Sequence, residues 1–284
     1  MVLAGGVAAA AGTVGFIMFS NHAIMCRKLK VHSVKLPESF RGFRILQLSD
    51  MHGDFPNWKM RKLLKTVKES EPDIVVVTGD VIDYTHRRHF TQMLEGLKII
   101  SGQYPTYYVT GNHEYMHSEC VPMIREIERT QIQVLHDRSV ELIRGGEVIR
   151  LYGLDDPYAL YRGNVPKRYR TPALEYRETL IRQKVDQDTF TVLLAHRPEF
   201  FEEYAMAGYS LVLSGHAHGG QWRIFRRKGW MAPDQGWMPE YTYGTYEKVD
   251  TVMVVSRGLG NSNFPLRLLN RPEVIVIELD KDYC

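Results

Sequence analysis

The 284 residues carry 36 Lys and Arg against 33 Asp and Glu, a formal net charge of +3. That surplus is too small to mark a nucleic-acid binder, and none is expected as a partner. With 44% hydrophobic and 24% charged residues, the composition is that of a globular protein. The length suffices for one large α/β domain or two small ones, burying roughly three-quarters of the unfolded surface.

The first 25 residues hold no charged side chain, and the run from Val2 to Ser20 is rich in Ala, Gly, Val, Phe and Ile. An uncharged stretch of that length can span a bilayer. A cleaved signal would open on basic residues, and Met25 before Cys26 is not the small residue a lipoprotein site needs. The expectation is an N-terminal transmembrane or anchor helix over 1–25, the alternative being an apolar helix packed on the domain. Arg27, Lys28 and Lys30 follow, and they favour a cytoplasmic placement of the domain. Residues 26–42 read as a linker and 43–284 as the folded domain.

From there short apolar runs alternate with amphipathic ones. Strands are predicted over 43–48, 74–78 and 106–110, with helices over 58–70, 90–100 and 121–129 between and after them. That order implies parallel pairing with right-handed crossovers. Residues 140–143 and 148–152 flank Gly145-Gly146-Glu147 as a β-hairpin. The polar stretch 155–188 reads as a surface excursion with a helix near 173–184. Strands at 190–195 and 211–214 bracket a helix at 199–207. An irregular aromatic stretch over 222–250 precedes two closing strands, at 252–256 and 274–279.

The polar residues sit where those strands end. Strand 43–48 runs into Asp50-Met51-His52, strand 74–78 into Gly79-Asp80, and strand 106–110 into Gly111-Asn112-His113-Glu114. Strand 190–195 ends at His196, and strand 211–214 at Gly215-His216-Ala217-His218-Gly219. Carboxyl ends of strands are where open α/β sheets build their sites. In extended chain, residues i and i+2 face the same side, so Asp50 with His52, and His216 with His218, can reach one ion. Taken singly, such an Asp is a helix cap, such a His a hydrogen-bonded structural residue and a Gly-Asn pair a turn. Seven of them at five strand ends are not explained that way. Cys26, Cys120 and Cys284 form no disulfide framework and no CxxC pair, so His, Asp and Asn are the metal donors. That mixture suits Zn, Mn or Fe better than Ca or Mg.

These five segments, in this order and spacing, resemble the calcineurin-like metallophosphoesterases over roughly residues 43–280. Gly219-Gly220-Gln221, Ser256-Arg257-Gly258-Leu259-Gly260 and Asn270-Arg271-Pro272-Glu273 look like its YkuE/YaeI-like membrane-associated branch. The resemblance implies an α/β two-sheet sandwich flanked by helices. It implies two divalent metal ions, one held by Asp50, His52, Asp80 and His218, the other by Asp80, Asn112, His196 and His216, with Asp80 bridging. His113 would donate to developing charge or to the leaving oxygen, and Glu114 would orient ligands. The implied activity is hydrolysis of a phosphodiester or pyrophosphate by a metal-activated hydroxide, on a membrane-associated substrate such as a nucleotide-linked lipid. The alternatives are a soluble-substrate phosphomonoesterase or nucleotide phosphodiesterase, and, in another class, a non-catalytic metal-binding scaffold. Phosphoprotein phosphatases continue the second segment with a phosphate-gripping Arg, where this chain has Val81-Ile82-Asp83-Tyr84. Arg87 and Arg88 are candidate replacements. Arg226, Arg227 and Arg257 are candidate substrate-binding residues, the first two lying among aromatics that suit a lipid interface. His136 reads as a surface residue.

Overall fold

The computed structural model describes the chain apart from residues 1–11, 13–14, 54, 84–89, 117, 162–172, 184, 224–228, 262–265 and 283–284. One six-stranded sheet contains β1 (Met25–Ser33), β2 (Arg44–Leu48), β3 (Ile74–Thr78), β4 (Thr106–Val109), β5 (Gln133–Val134) and the last strand, β14 (Glu273–Lys281), in the order β1-β14-β2-β3-β4-β5. Strands β2 to β5 pair in parallel, as the alternation with α1 (Asn57–Ser70), α2 (Phe90–Ser101), the short α3 (His113–Met116) and α4 (Val121–Glu128) requires.

The second sheet holds the predicted hairpin, β6 (Ser139–Arg144) and β7 (Glu147–Leu154), and then β8 (Thr191–Ala195) and β9 (Leu211–Ser214). Helices α5 (Ala173–Arg182) and α6 (Phe201–Ala207) connect these strands. The irregular aromatic stretch contains a small ribbon, β10 (Met231–Ala232) with β11 (Gly236–Trp237), followed by β12 (Gly244–Lys248) and β13 (Thr251–Val255). The sheet order is β12-β13-β9-β8-β7-β6, with β7, β8, β9 and β13 parallel and the two edge strands antiparallel.

Strand alternation explains the layers. Ile45, Val76, Val109, Ile275 and Ile277 of the first sheet pack against Ile149, Leu151, Val192, Leu194, Leu211 and Val254 of the second. The opposite face of the first sheet, with Leu46, Leu48, Val75 and Val77, is covered by Leu63, Val67, Met93, Leu97 and Ile124 of α1, α2 and α4. The outer face of the second, with Leu193, Val212 and Met253, is covered by Tyr176, Leu180, Phe201 and Tyr204 of α5 and α6. Strands buried on both faces read as unbroken apolar runs, which is why Ile-Val-Val-Val-Thr at 74–78 is legible in the sequence.

The linker expected over 26–42 opens instead with β1, paired in parallel along β14 from Met25↔Glu273 to Ser33↔Lys281. Cys26, Lys28, Lys30 and His32 face solvent while Val31 is buried. The strand is charged on one face because lysines on an edge strand discourage pairing with another chain, and those charges mask its period of two.

The expected anchor falls mostly on residues outside the described ones. Residues 15–22 are helical, and no helix among the described residues is long and apolar enough to cross a membrane. Asn21 brackets the backbone of Arg267 through both side-chain atoms (2.8 and 3.2 Å). Arg271 donates to the Ala23 carbonyl at 2.9 Å and lies over the Phe19 ring.

Candidate metal centre

The carboxyl ends of the parallel strands of both sheets meet. Gln47 on β2 spans the gap, donating to Thr78 Oγ1 at 3.0 Å and to the Ser214 carbonyl at 2.9 Å. Beyond the strands the backbone amide of His216 donates to Asp50 Oδ1 at 3.0 Å, so the loops after β2 and β9 are tied directly. Gly79, at φ +84, sits in a close backbone approach. A Cβ there would lie 2.6 Å from the His196 ring and 2.7 Å from the Gly111 nitrogen.

All seven residues read as metal donors, Asp50, His52, Asp80, Asn112, His196, His216 and His218, are buried, and six of them, all but Asn112, fall into two close groups. Ligand atoms of Asp50, His52, Asp80 and His218 lie within 4.8 Å of one another, and so do those of Asp80, His196 and His216. Asp80 is common to both groups. Its Oδ2 is 3.2 Å from His196 Nε2 and 3.7 Å from His52 Nε2. The Nε2 atoms of His52 and His218 are 3.0 Å apart, and His216 Nδ1 is 3.2 Å from His196 Nε2. Convergence is not reached through extended chain, as the i, i+2 argument supposed. Asp50, His52, Asp80, His216 and His218 all have φ between 47 and 65. Left-handed backbone at non-glycine residues costs of order 1–3 kcal/mol each and persists where surroundings impose it, commonly at functional sites.

Neighbours orient several of these donors. His196 Nδ1 donates to the Thr78 carbonyl at 2.7 Å, which leaves Nε2 facing Asp80. His216 Nε2 meets Asp234 Oδ2 at 3.1 Å, leaving Nδ1 for the centre. Ser49 Oγ donates to Asp50 Oδ2 at 2.6 Å, and Asn270 holds the His218 carbonyl at 2.6 Å. Glu114 accepts three backbone N–H groups, from Asp80, Ile82 and Gly111 (2.6–2.9 Å). Burial and the Asp80 charge push its carboxyl up to about 7, opposed by those bonds.

The donor set fits metal ions. Two carboxylates in a buried site are costly without compensating cations. Burial also raises Asp50 above the usual carboxylate range, whereas the neighbouring histidines hold Asp80 well below it. Asn112 Oδ1 is buried without a hydrogen-bond partner, and an amide oxygen of that kind is a metal ligand in waiting.

His113 sits beside the cluster. Its backbone N–H donates to Asp80 Oδ1 at 2.9 Å, its ring packs edge-on against His52, and its Nδ1 is 3.8 Å from Asp83 Oδ2. Burial pushes it down to about 4, so the ring is neutral at pH 7. Arg257 precedes Gly258, whose backbone packs against Asp50, and its side chain meets Glu273 and Tyr243, whereas Arg87, Arg88, Arg226 and Arg227 lie outside the described residues. Arg271 serves the N-terminal segment instead.

Several residues here escaped the sequence reading. Asp83 lies 3.7 Å from His52 Nδ1, and its only trace was a second Asp three residues after Asp80. Arg197, fully buried, reaches Asp156 and Asp234, each at 2.6 Å, and thereby steadies the carboxylate behind His216. Burial would raise Asp234, but His216 and Arg197 hold it below the usual carboxylate range. Asp234 comes from an aromatic loop without any period. His136 is no isolated surface residue either, since it joins Asp155 at 2.6 Å to Glu128 at 2.9 Å.

The sequence model of the calcineurin-like phosphoesterase family matches residues 43–220. The chain is 30% identical over 285 residues to the uncharacterized metallophosphoesterase YkuE of Bacillus subtilis, covering 98% of this chain and 93% of that one. It is 30% identical to an uncharacterized metallophosphoesterase of Aquifex aeolicus, over 91% of this chain and 93% of the relative. A transmembrane protein with metallophosphoesterase domain from Danio rerio is 28% identical over 86% of this chain, which spans 55% of that relative's length. Among solved structures, TT1561 of Thermus thermophilus superposes with a TM-score of 0.50 at 15% identity, over 76% of this chain and 89% of that one. It shares the fold.

Proposed function

The chain belongs to the calcineurin-like phosphoesterases, metal-dependent hydrolases of phosphoester bonds, and from that premise we propose a two-metal phosphodiesterase or pyrophosphatase acting on a membrane-associated substrate. The observation that carries the two-metal reading is Asp80, shared by two groups of mutually close donors. Asp50, His52, Asp80 and His218 would hold one divalent ion. Asp80, Asn112, His196 and His216 would hold the other, with Mn, Zn or Fe suiting the mixture. Such ions, when bound, supply Lewis acidity and lower the pKa of an attacking water.

The protein's own groups do the rest. The Thr78 carbonyl and Asp234 engage the outer ring nitrogens of His196 and His216, so Nε2 of the first and Nδ1 of the second face the centre. Glu114 pins the peptide that carries Asp80. His113, neutral and buried, would offer a ring N–H to the charge developing on phosphoryl or leaving oxygen.

The membrane part of the proposal is supported by the charge-free first 25 residues and by the β10–β11 ribbon. Trp230, Met231, Trp237 and Met238 are exposed there, and the ribbon is rooted by Trp230 N–H to the Gly220 carbonyl at 2.8 Å, two residues from His218. Exposed Trp and Met suit the headgroup boundary. The relatives of Danio rerio and Bos taurus are named as transmembrane proteins. The test is metal content with turnover. Mn- or Zn-loaded protein is expected to hold about two ions per chain, as one per donor group requires, and to hydrolyse bis(p-nitrophenyl) phosphate. Trace metal and no turnover would refute the proposal. A phosphopeptide preferred over a lipid-linked diester in mixed micelles would refute its membrane part.

A further inference from the structure

The segment that carries Asn112 and His113 is held at both ends by one carboxylate outside the donor set. Thr110, before the segment, donates from Oγ1 to Asp155 Oδ1 at 2.7 Å and accepts the Asp156 backbone N–H at 3.2 Å. Tyr115, after it, donates from its hydroxyl to Asp155 Oδ2 at 3.4 Å. Between these two points the backbone turns into α3, where the N–H groups of Tyr115 and Met116 donate to the Asn112 carbonyl at 3.1 and 2.9 Å. Thr110, Tyr115 and Asp155 are all buried, so the place of the segment follows the place of that carboxylate.

Asp155 is itself held from outside. His136 Nδ1 lies 2.6 Å from Asp155 Oδ2, and its Nε2 lies 2.9 Å from Glu128 at the end of α4. Asp137 accepts the Asp155 backbone N–H at 3.0 Å. Three carboxylates, those of Asp155, Glu128 and Asp137, therefore face one partly exposed imidazole. The hydrogen bond to Asp155 raises His136 to about 9, against burial and with help from Glu128. Burial and the Asp155 charge raise Asp137. With the cation gone, these carboxylates repel one another in partial burial, and water becomes the better partner for Asp155 than Thr110 and Tyr115.

We propose that Asp155, held by the His136 cation, is a positioning residue that sets where Asn112 and His113 stand, and so acts on the reaction without touching substrate or donor set. The proposal rests on the hydrolase reading and on the places given above to Asn112 and His113. Thr110 and Tyr115 could be satisfied by a neutral acceptor. A charged one holds them about twice as strongly, and that charge is kept in place by a proton on a residue open to solvent.

The test compares wild type with His136→Gln, Asp155→Asn and the double variant, at saturating Mn and with bis(p-nitrophenyl) phosphate. Asn keeps an acceptor for Thr110 but not the charge. Each single variant is expected to lose about tenfold in kcat at pH 7, within the range by which a small displacement of a catalytic group slows a reaction, with little change in KM. The double variant should lose no more than Asp155→Asn alone, because the two residues act as one unit. The cation gives wild type its advantage below about pH 9 and withdraws it above. The kcat ratio of wild type to His136→Gln should therefore shrink toward one by about pH 10, while pH effects common to both proteins cancel. A ratio that stays constant with pH, or losses that add, would overturn the proposal. The second readout needs no turnover. In metal-free protein at pH 7, hydrogen exchange at the Tyr115 and Met116 amides should be about tenfold faster in His136→Gln, while exchange in β3 stays as in wild type. Unchanged exchange at those amides, or faster exchange everywhere, would also overturn it. Should wild type hydrolyse no phosphoester, the hydrolase reading fails, and exchange still decides what Asp155 holds.

Discussion

Asp80 and His113 are joined by one hydrogen bond, yet they are expected to fail differently. Asp80→Asn removes the one carboxylate common to both donor groups, and metal analysis should show loss at both sites together. Its backbone bond to Glu114 gives no reason for the fold to be lost. His113→Ala leaves every proposed ligand in place. It should keep its metal while kcat falls about 100- to 1000-fold, the worth of roughly 3–4 kcal/mol for a transition-state donor. Full activity or lost metal in His113→Ala would assign it another role. His136 supplies a pH test away from the centre. Its hydrogen bond to Asp155, aided by Glu128 and opposed by burial, raises it from 6.5 to about 9. A raised folded pKa stabilises fully below the unfolded value and ceases to as pH climbs through the folded one. His136→Gln should therefore be less stable by about 1–2 kcal/mol at pH 6, a figure discounted for partial exposure. The gap should close by about pH 10. A constant difference across denaturation curves at those pH values would show that the pair is not charged.

At the scale of elements, β1 carries the clearest consequence. It pairs with β14 along its whole length and covers Val31 against the inter-sheet core. Removing residues 1–33 would bare the edge of β14, whereas removing residues 1–14 leaves β1 and the Asn21–Arg267 contacts intact. The shorter deletion should melt close to full length. The longer one should melt lower by roughly 5–10 °C, from an apolar side chain and a strand's pairing lost in a chain of this size. Equal melting temperatures would return β1 to the status of a linker. The strand is hidden in the sequence because its solvent face carries Cys26, Lys28, Lys30 and His32 with Arg27 charged on the other face, whereas β3 is legible because both its faces are buried. The helices α1, α2 and α4 were legible for the opposite reason, each having one apolar stripe.

For the whole molecule, the two-sheet sandwich brings strand ends from both halves of the chain to one place, and the exposed Trp and Met ribbon lies beside it. If the N-terminal residues and that ribbon both meet a bilayer, full-length protein should sediment with membranes. Deletion of residues 1–14 should move part of it to the soluble fraction. Trp230→Ala with Trp237→Ala, combined with the deletion, should release the rest. Wholly soluble full-length protein would end the membrane reading and leave the hydrolase intact.

The donor set was readable because two kinds of local information coincide in it. Apolar runs fix where parallel strands stop, and Asp, Asn and His just beyond those stops are already at the edge where such sheets build sites. Asp50, His52, Asp80, Asn112, His196, His216 and His218 are therefore candidates on sequence grounds alone, and six of them, all but Asn112, meet in two groups of close donors. What only the tertiary structure decided depends on contacts between segments far apart in sequence. The left-handed backbone at five of those donors is imposed by the packing of two sheets' loops against each other. Asp83, Asp234 and Arg197 are recruited from positions with no pattern, since a side chain that steadies a ligand needs only reach and charge.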